Sequence, residues 1–231
     1  MKNLNIFSLV AEYENAKSTE VLNAPNVSFV DEDSSVRYLA DIKIEYEYVD
    51  LGLPSGLKWA TCNIGASSPE EYGLYFAWGE TTGYTGEQVI SGVRKFNEDE
   101  YNAGPAASIE TDLTLEQDAV HAYMGGKWRM PTEAEYRELL NKCNGVWTNN
   151  YNGTGVKGRI FTSKVNGNSV FFPAAGSCSN LSVDGVGSNN YYRSASYRSY
   201  DLAWLLYFDS RRQTLLTNAR YYGLSVRGVC E

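Results

Sequence analysis

The sequence predicts an α+β fold, on three observations. Two segments open with a helix-capping signature and continue with helical periodicity. After Asn144 no further helix is signalled, and the remaining third reads as short apolar runs separated by Gly, Asn and Ser. Helices in one part of the chain and strands in another is the α+β pattern: two helices, short twisted antiparallel strands and many loops.

Taken in order, the first 46 or so residues are acidic and loosely patterned until Val36-Arg-Tyr-Leu-Ala and Ile42-Lys-Ile-Glu-Tyr-Glu-Tyr, where alternation predicts strands. Residues 1–46 are read as a small lead-in or attachment segment, and residues 47–231 as one domain. From Val49 the texture changes to VDLGLPSGLKWATCNIG and YGLYFAWGE, aromatic-rich runs punctuated by Gly and Pro. Thr114-Leu-Glu-Gln117 has capping-box form and predicts a helix through Met124, stopped by Gly125-Gly126. Thr132-Glu-Ala-Glu135 repeats the device after Pro131, and places Tyr136, Leu139, Leu140 and Cys143 on one helical face. Strands are expected at Gly158–Ser163, Ser169–Pro173, Ala203–Phe208 and within Gly223–Val229, with a turn-prone loop at Thr148–Gly155.

Composition narrows the function classes. The net charge is −8, but residues 1–164 carry 9 Lys and 5 Arg against 17 Glu and 7 Asp, whereas residues 165–231 carry 6 Arg against 3 Asp and one Glu. An acidic chain without a basic footprint argues against nucleic-acid binding. The 18 Tyr are many for 231 residues and suit recognition surfaces, because the ring brings contact area at low entropy cost. No apolar run approaches the ~20 residues needed to cross a bilayer, so membrane insertion is not expected. The start, MKNLNIFSLVAEYENA, reads as no signal peptide, which predicts a protein cytoplasmic when made.

Candidate chemistry is sparse. Cys62, Cys143, Cys178 and Cys230 are widely spaced, without a CxxC or a nearby His pair, so no zinc or other metal site is expected. Three disulfide connectivities are possible, but buried or free thiols are the expectation without a secretion signal. His121 is the only histidine, three residues after Asp118, and reads as a helix-packing residue. The pairs Glu70-Glu71, Asp99-Glu100 and Glu133 with Glu135 read as loop or helix-start carboxylates. Neither a catalytic set nor a cofactor is predicted.

One stretch carries a more specific pattern. In SYDLAWLLYFDSRRQ, Trp204, Leu206 and Phe208 alternate with the chemically unrelated Leu205, Tyr207 and Asp209. The first set is what the core face of a strand requires, and the second is read as the outer face. Between Val165 and Cys230 there is no Lys, Glu or Met, although the preceding 164 residues hold 26 Lys and Glu together.

GGKWRMPTEAEYRELL closely resembles the RLPTEAEWE motif of the formylglycine-generating-enzyme family, a branch of the C-type lectin fold. VDLGLPSGLKWATCNIGA, YFAWGET, DAVHAYMGGKW and GLSVRGV resemble gut-bacterial and phage paralogues of that fold, over roughly Val49 to Val229. The resemblance implies a C-type lectin-like fold of the formylglycine-generating-enzyme type, with Trp128, Arg129, Pro131 and Arg227 as scaffold. The oxidase of that family uses two neighbouring cysteines that bind copper, whereas Cys178 and Cys230 stand apart here. The EPN, QPD and WND calcium motifs of sugar-binding lectins are also missing from the sequence.

The depleted C-terminal stretch resembles the variable proteins of diversity-generating retroelements. There, adenine-directed errors turn Asn codons into a set that excludes Lys, Glu, Gln, Met and Trp. The resemblance implies fixed positions at Trp204 and Gln213 and a variable ligand-binding surface at Arg193, Arg198, Tyr200, Asp201, Leu202, Leu205, Tyr207, Asp209, Arg211, Arg212, Thr214, Thr217, Asn218, Ala219, Tyr221, Tyr222 and Leu224. The expected function is non-enzymatic recognition of a protein or glycan on a cell surface, as in a phage receptor-binding component, which would be virion-associated and homotrimeric. The alternatives are a non-varying structural or decoration module, in which Leu205 and Tyr207 pack against a neighbouring loop, and an oxidase of the formylglycine-generating type.

Overall fold

The computed structural model describes residues 28–30, 36–38 and 46–231. The chain divides into two units, Met1–Glu45 and Tyr46–Glu231. In the first, β1 (Ser28–Val30) pairs antiparallel with β2 (Val36–Tyr38), within the run where a strand is expected. The expected strand at Ile42–Tyr48 falls mostly outside the described residues.

The second unit is strand-rich with a few short helices, a mixed architecture that agrees with the α+β expectation. Its elements are β3 (Tyr48–Asp50), β4 (Lys58–Asn63), α1 (Gly86–Ile90), α2 (Glu98–Asn102), α3 (Ala119–Met124), α4 (Glu133–Lys142), β5 (Cys143–Thr148), β6 (Gly158–Ser163), β7 (Ser169–Pro173), β8 (Ser177–Ser179), β9 (Ser182–Asp184), β10 (Asn189–Tyr197), β11 (Leu202–Asp209), β12 (Gln213–Ala219) and β13 (Arg227–Cys230). They form three-stranded antiparallel sheets β13-β4-β3, β5-β6-β7 and β10-β11-β12, and a β8-β9 hairpin.

The PTEAEYRELL motif explains its own helix. The Thr132 N–H donates to the Glu135 carboxylate (2.7 Å) and the Glu135 N–H to the Thr132 hydroxyl (3.3 Å), closing the capping box. Arg129 grips the same carboxylate with both terminal nitrogens (2.8 and 2.7 Å), while its backbone pairs with Val229 of β13. One motif thereby starts α4 and ties it to the closing strand. Tyr136 and Leu139 are buried and Leu140 partly so, as their helical spacing predicts; Cys143 is buried too, but as the first residue of β5 rather than on the helix.

The other predicted helix is corrected. The Thr114 box closes only a single 3-10 turn, Leu115–Gln117, because the chain becomes extended at Asp118 (φ −94°, ψ 117°). Asp118 accepts from the N–H groups of Val120 (2.8 Å), His121 (3.0 Å) and Met130 (2.7 Å). Those three bonds satisfy the new helix start and the loop before α4 together, which a continuous helix could not do. Gly125 (φ 64°) and Gly126 (φ 58°) stop α3 as expected.

The main core joins Leu51, Trp59, Tyr136, Phe161, Phe172, Tyr192, Leu206, Phe208 and Val229, so the three larger sheets meet around α4. Three arginines, Arg193, Arg220 and Arg227, are wholly buried, and among the described residues none has a carboxylate partner. They donate instead to main-chain carbonyls. Arg227 bonds Ala60 (2.9 Å), Thr61 and Phe171 (3.1 Å), and stacks on Phe172 with its guanidinium carbon 4.6 Å from the ring centre. Arg220 bonds Tyr200 (2.9 Å) and Ala106 (2.6 Å) over the Trp78 ring. Arg220 thereby serves carbonyls outside the strands, which lack ladder partners, whereas Arg227 ties carbonyls of β4 and β7 together and also donates to Asn63 Oδ1 (3.0 Å).

Candidate functional site

The predicted surface lies on the β10-β11-β12 sheet and its connections. Leu206 pairs with Tyr192 and Leu215, and Phe208 with Asn190 and Gln213; Leu206, Phe208 and Tyr192 enter the main core. Trp204 shares their face but is only partly buried, so it lies outside the sealed core.

The other face differs from the expectation. Leu205 is 0 % exposed and Tyr207 8 % exposed, and with Leu224 they make a small second core flanked by Tyr191, Leu216 and Tyr222. The cover comes from the returning chain. Gly223 exchanges backbone bonds with Cys178 (2.8 and 3.0 Å) and Leu224 with Phe76 (both 3.0 Å), which holds residues 222–224 against the sheet. Leu205, Tyr207 and Leu224 are therefore interior residues and not part of an outer face.

Arg193 is corrected in the same way. It sits opposite Leu205 in the ladder, wholly buried, and its Nη2 donates to the carbonyls of Ala219 (2.6 Å), Tyr222 (3.1 Å) and Arg220 (3.3 Å). Burial, with the Arg220 charge adding to it, pulls the Arg193 pKa down to about 9. Asp209 is a turn-former. Its Oδ1 accepts from the N–H groups of Arg211 (2.7 Å) and Arg212 (2.9 Å), its Oδ2 from the Tyr207 hydroxyl (2.9 Å), and its backbone closes the hairpin on Arg212 (3.0 Å). Desolvation raises its pKa, but those donors outweigh it and hold the carboxyl below its ordinary value.

The remaining predicted residues are exposed or half-buried, and they are spread over both ends of the sheet. Arg198, Tyr200 and Asp201 are exposed and Leu202 half-buried at the β10-β11 connection; Asn218 and Ala219 of β12 lie beside them, Leu202 being opposite Ala219. Arg211 and Arg212 are exposed at the other end. Thr214 lies opposite Tyr207, whereas Thr217 lies opposite Trp204 on the reverse face. An eight-residue strand such as β11 is about 25 Å long, so the set does not form one compact patch.

What the structure does gather is aromatic. Tyr191 and Tyr207 have ring centres 5.0 Å apart, Arg212 lies 5.2 Å above Tyr207, and Tyr221 and Tyr222 stack at 5.0 Å. Desolvation raises the pKa values of Tyr191, Tyr207 and Tyr221, so these hydroxyls stay protonated donors well above neutral pH. Tyr191 was not among the predicted residues. Its signal is parity: it faces Tyr207 across the ladder and shares the alternation of Arg193.

The candidate chemistry elsewhere is structural. All four cysteines are free thiols; burial pushes Cys178 up to about 12 and Cys143 up to about 11, which leaves little thiolate at neutral pH. The His121 ring lies 3.2 Å from the Trp128 carbonyl, in helix packing. Among the described residues no three His, Cys, Asp or Glu side chains are grouped to hold a metal ion, and no helix is long and apolar enough to cross a membrane. Searches against protein-family models, curated proteins and solved structures found no match to the chain.

Proposed function

We propose that the protein is a non-enzymatic binding protein on a C-type lectin-like frame, and that its C-terminal sheet recognises a macromolecule on a cell surface. The observation that carries this reading is the tyrosine and arginine group that Tyr191, Tyr222 and Arg212 form around the buried Tyr207, with Tyr221 stacked on Tyr222. Tyr and Arg are the side chains most enriched at binding hot spots. Rings already held by stacking lose little freedom when a partner arrives.

Variation by a diversity-generating retroelement is part of the proposal, restricted now to positions that can change without cost to the interior. Those are the exposed Arg198, Tyr200, Asp201, Arg211 and Arg212 and the half-buried Leu202, Thr214, Thr217, Asn218, Ala219, Tyr221 and Tyr222. Assembly as a virion-associated homotrimer would multiply weak contacts by avidity, by about 10²–10⁴.

Sequencing the gene and its surroundings from many cells tests this. The expected result is a near-copy of the 3′ end beside a reverse transcriptase gene, with differences at template adenines in the codons of these positions and none at Arg193, Leu205 or Leu224. The same C-terminal residues in every copy would instead support a fixed structural module.

A further inference from the structure

Among the described residues, the sheet β10-β11-β12 is unpaired along one side. Strand order places β12 at its edge, and among the described residues no strand or bridge pairs with β12 there. The hydrogen-bond phase follows from two contacts: Asp209 N–H to Arg212 O (3.0 Å) and Arg220 N–H to Asp201 O (3.0 Å). Both mark hydrogen-bonded pairs of the β11-β12 ladder. By the alternation of an antiparallel pair, Thr214, Leu216 and Asn218 turn their N–H and C=O toward β11, and Gln213, Leu215 and Thr217 turn theirs outward. Ala219 is also outward, but Asn218 Oδ1 takes its N–H (2.8 Å) and Arg193 its carbonyl (2.6 Å). For the other three, the one described protein contact is a long one from the Thr214 hydroxyl to the Leu215 carbonyl (3.4 Å).

Such an edge is ordinarily blunted by Lys, Pro or a bulge. QTLLTNA has none of these, and its register with β11 is continuous. Beside it runs a groove of about 470 Å³ between α4 and the sheet, lined by Arg137, Leu140, Asn141, Trp204, Gln213 and Leu215, with Thr214 at its margin. Strand addition needs these two things together: a ladder of free main-chain groups for affinity, and a pocket for alternate side chains for selectivity.

We propose that β12 docks an extended segment of a partner polypeptide, which adds a fourth strand to the sheet through Gln213, Leu215 and Thr217. The segment carries apolar side chains at the alternate positions that meet Leu140, Leu215 and Trp204. It carries acidic ones at the end that reaches Arg211 and Arg212, whose side chains are 88 % and 63 % exposed. The main-chain pairing through Gln213, Leu215 and Thr217 does not depend on which side chains vary, so it stands or falls separately from the proposed function; the acidic preference belongs to this sequence, with arginine at 211 and 212.

The test selects binders to the full chain from a displayed library of random heptapeptides and reads amide hydrogen exchange residue by residue. In the free protein the amides of Gln213, Leu215 and Thr217 should exchange fast and those of Thr214, Leu216 and Asn218 slowly. Selected peptides should protect the first three. Thr217→Pro removes one outward donor at a position where an edge strand tolerates proline. It should weaken a selected peptide about tenfold, and Thr217→Val should not. N-methylation of alternate peptide residues should abolish binding in one phase only, which serves if the proline variant does not fold. The proposal is overturned if selection yields no binders, if they protect other amides, or if the three amides are already slow. It is equally overturned if they become protected with rising protein concentration alone, since the occupant would then be a second copy.

Discussion

Replacing Leu205 by Ala separates a tolerant outer face from a second interior. Leu205 is 0 % exposed and packed with Tyr207 and Leu224, with Arg193 and Leu216 directly across the ladder on either side. Truncating a buried Leu to Ala costs about 2–5 kcal/mol, set by how far the surroundings collapse into the cavity. Here Tyr191, Leu216 and Tyr222 are only partly buried and can shift inward, which points to the lower half of that range, about 2–3 kcal/mol. For a domain of this size that is a fall in Tm of about 4–12 °C. Tyr200→Ala is the control: its side chain is 60 % exposed, and the expected change is within about 0.5 kcal/mol. Urea unfolding followed by tryptophan fluorescence and far-UV circular dichroism, with m unchanged, measures both. If Leu205→Ala unfolds at the same urea concentration as Tyr200→Ala, the second interior does not exist and the burial argument fails.

Arg193→Ala should destabilise the protein by about 3 kcal/mol or more, since the carbonyls of Ala219, Arg220 and Tyr222 lose their shared donor; Arg198→Ala, an exposed arginine five residues on, should be near neutral in the same unfolding assay. Gly145→Ala should disturb the contact between β5 and β12, because an added Cβ would collide with Gln213 Oε1, the atom that accepts from Arg159 (2.9 Å); a lower unfolding midpoint relieved in part by Gln213→Ala checks it. Burial raises the Glu135 carboxyl, but the paired bonds from Arg129 and the Thr132 N–H outweigh it and leave the pKa below the ordinary value. A lowered folded-state pKa stabilises above the unfolded carboxylate range and is lost as pH falls through the folded value. Wild type should therefore lose its advantage over Glu135→Gln between about pH 5 and pH 3. Asp118, whose pKa burial raises, acts in the opposite sense in both proteins and cancels in that difference.

Local rules made much of the frame legible. The PTEAEYRELL helix starts where its cap predicts, although Cys143, expected on its buried face, opens β5 instead, and β6 and β7 occupy the predicted residues. Misses came where competition was local but undecidable from spacing: Thr114 and Asp118 can both cap a helix, and the chain uses both in succession. TGEQ and NEDE are too short to show periodicity, yet they begin α1 and α2. β10 and β12 carry mixed polar residues whose alternation means little until a partner strand is known.

By itself, the order of residues determined parity: Leu206 and Phe208 on one side of β11, Leu205 and Tyr207 on the other, because successive side chains in an extended chain point oppositely. It could not say whether the second side meets water. That was decided by residues 222–224, which return across the sheet and are held there by bonds to Cys178 and Phe76, partners far away in the chain. The same holds for the arginines. Arg193 and Arg211 are identical as letters, and only the enclosing carbonyls make one a buried tie, while the other stays exposed beside the Asp209 carboxylate (3.9 Å). Covering a face requires contacts between distant segments, which no local pattern encodes.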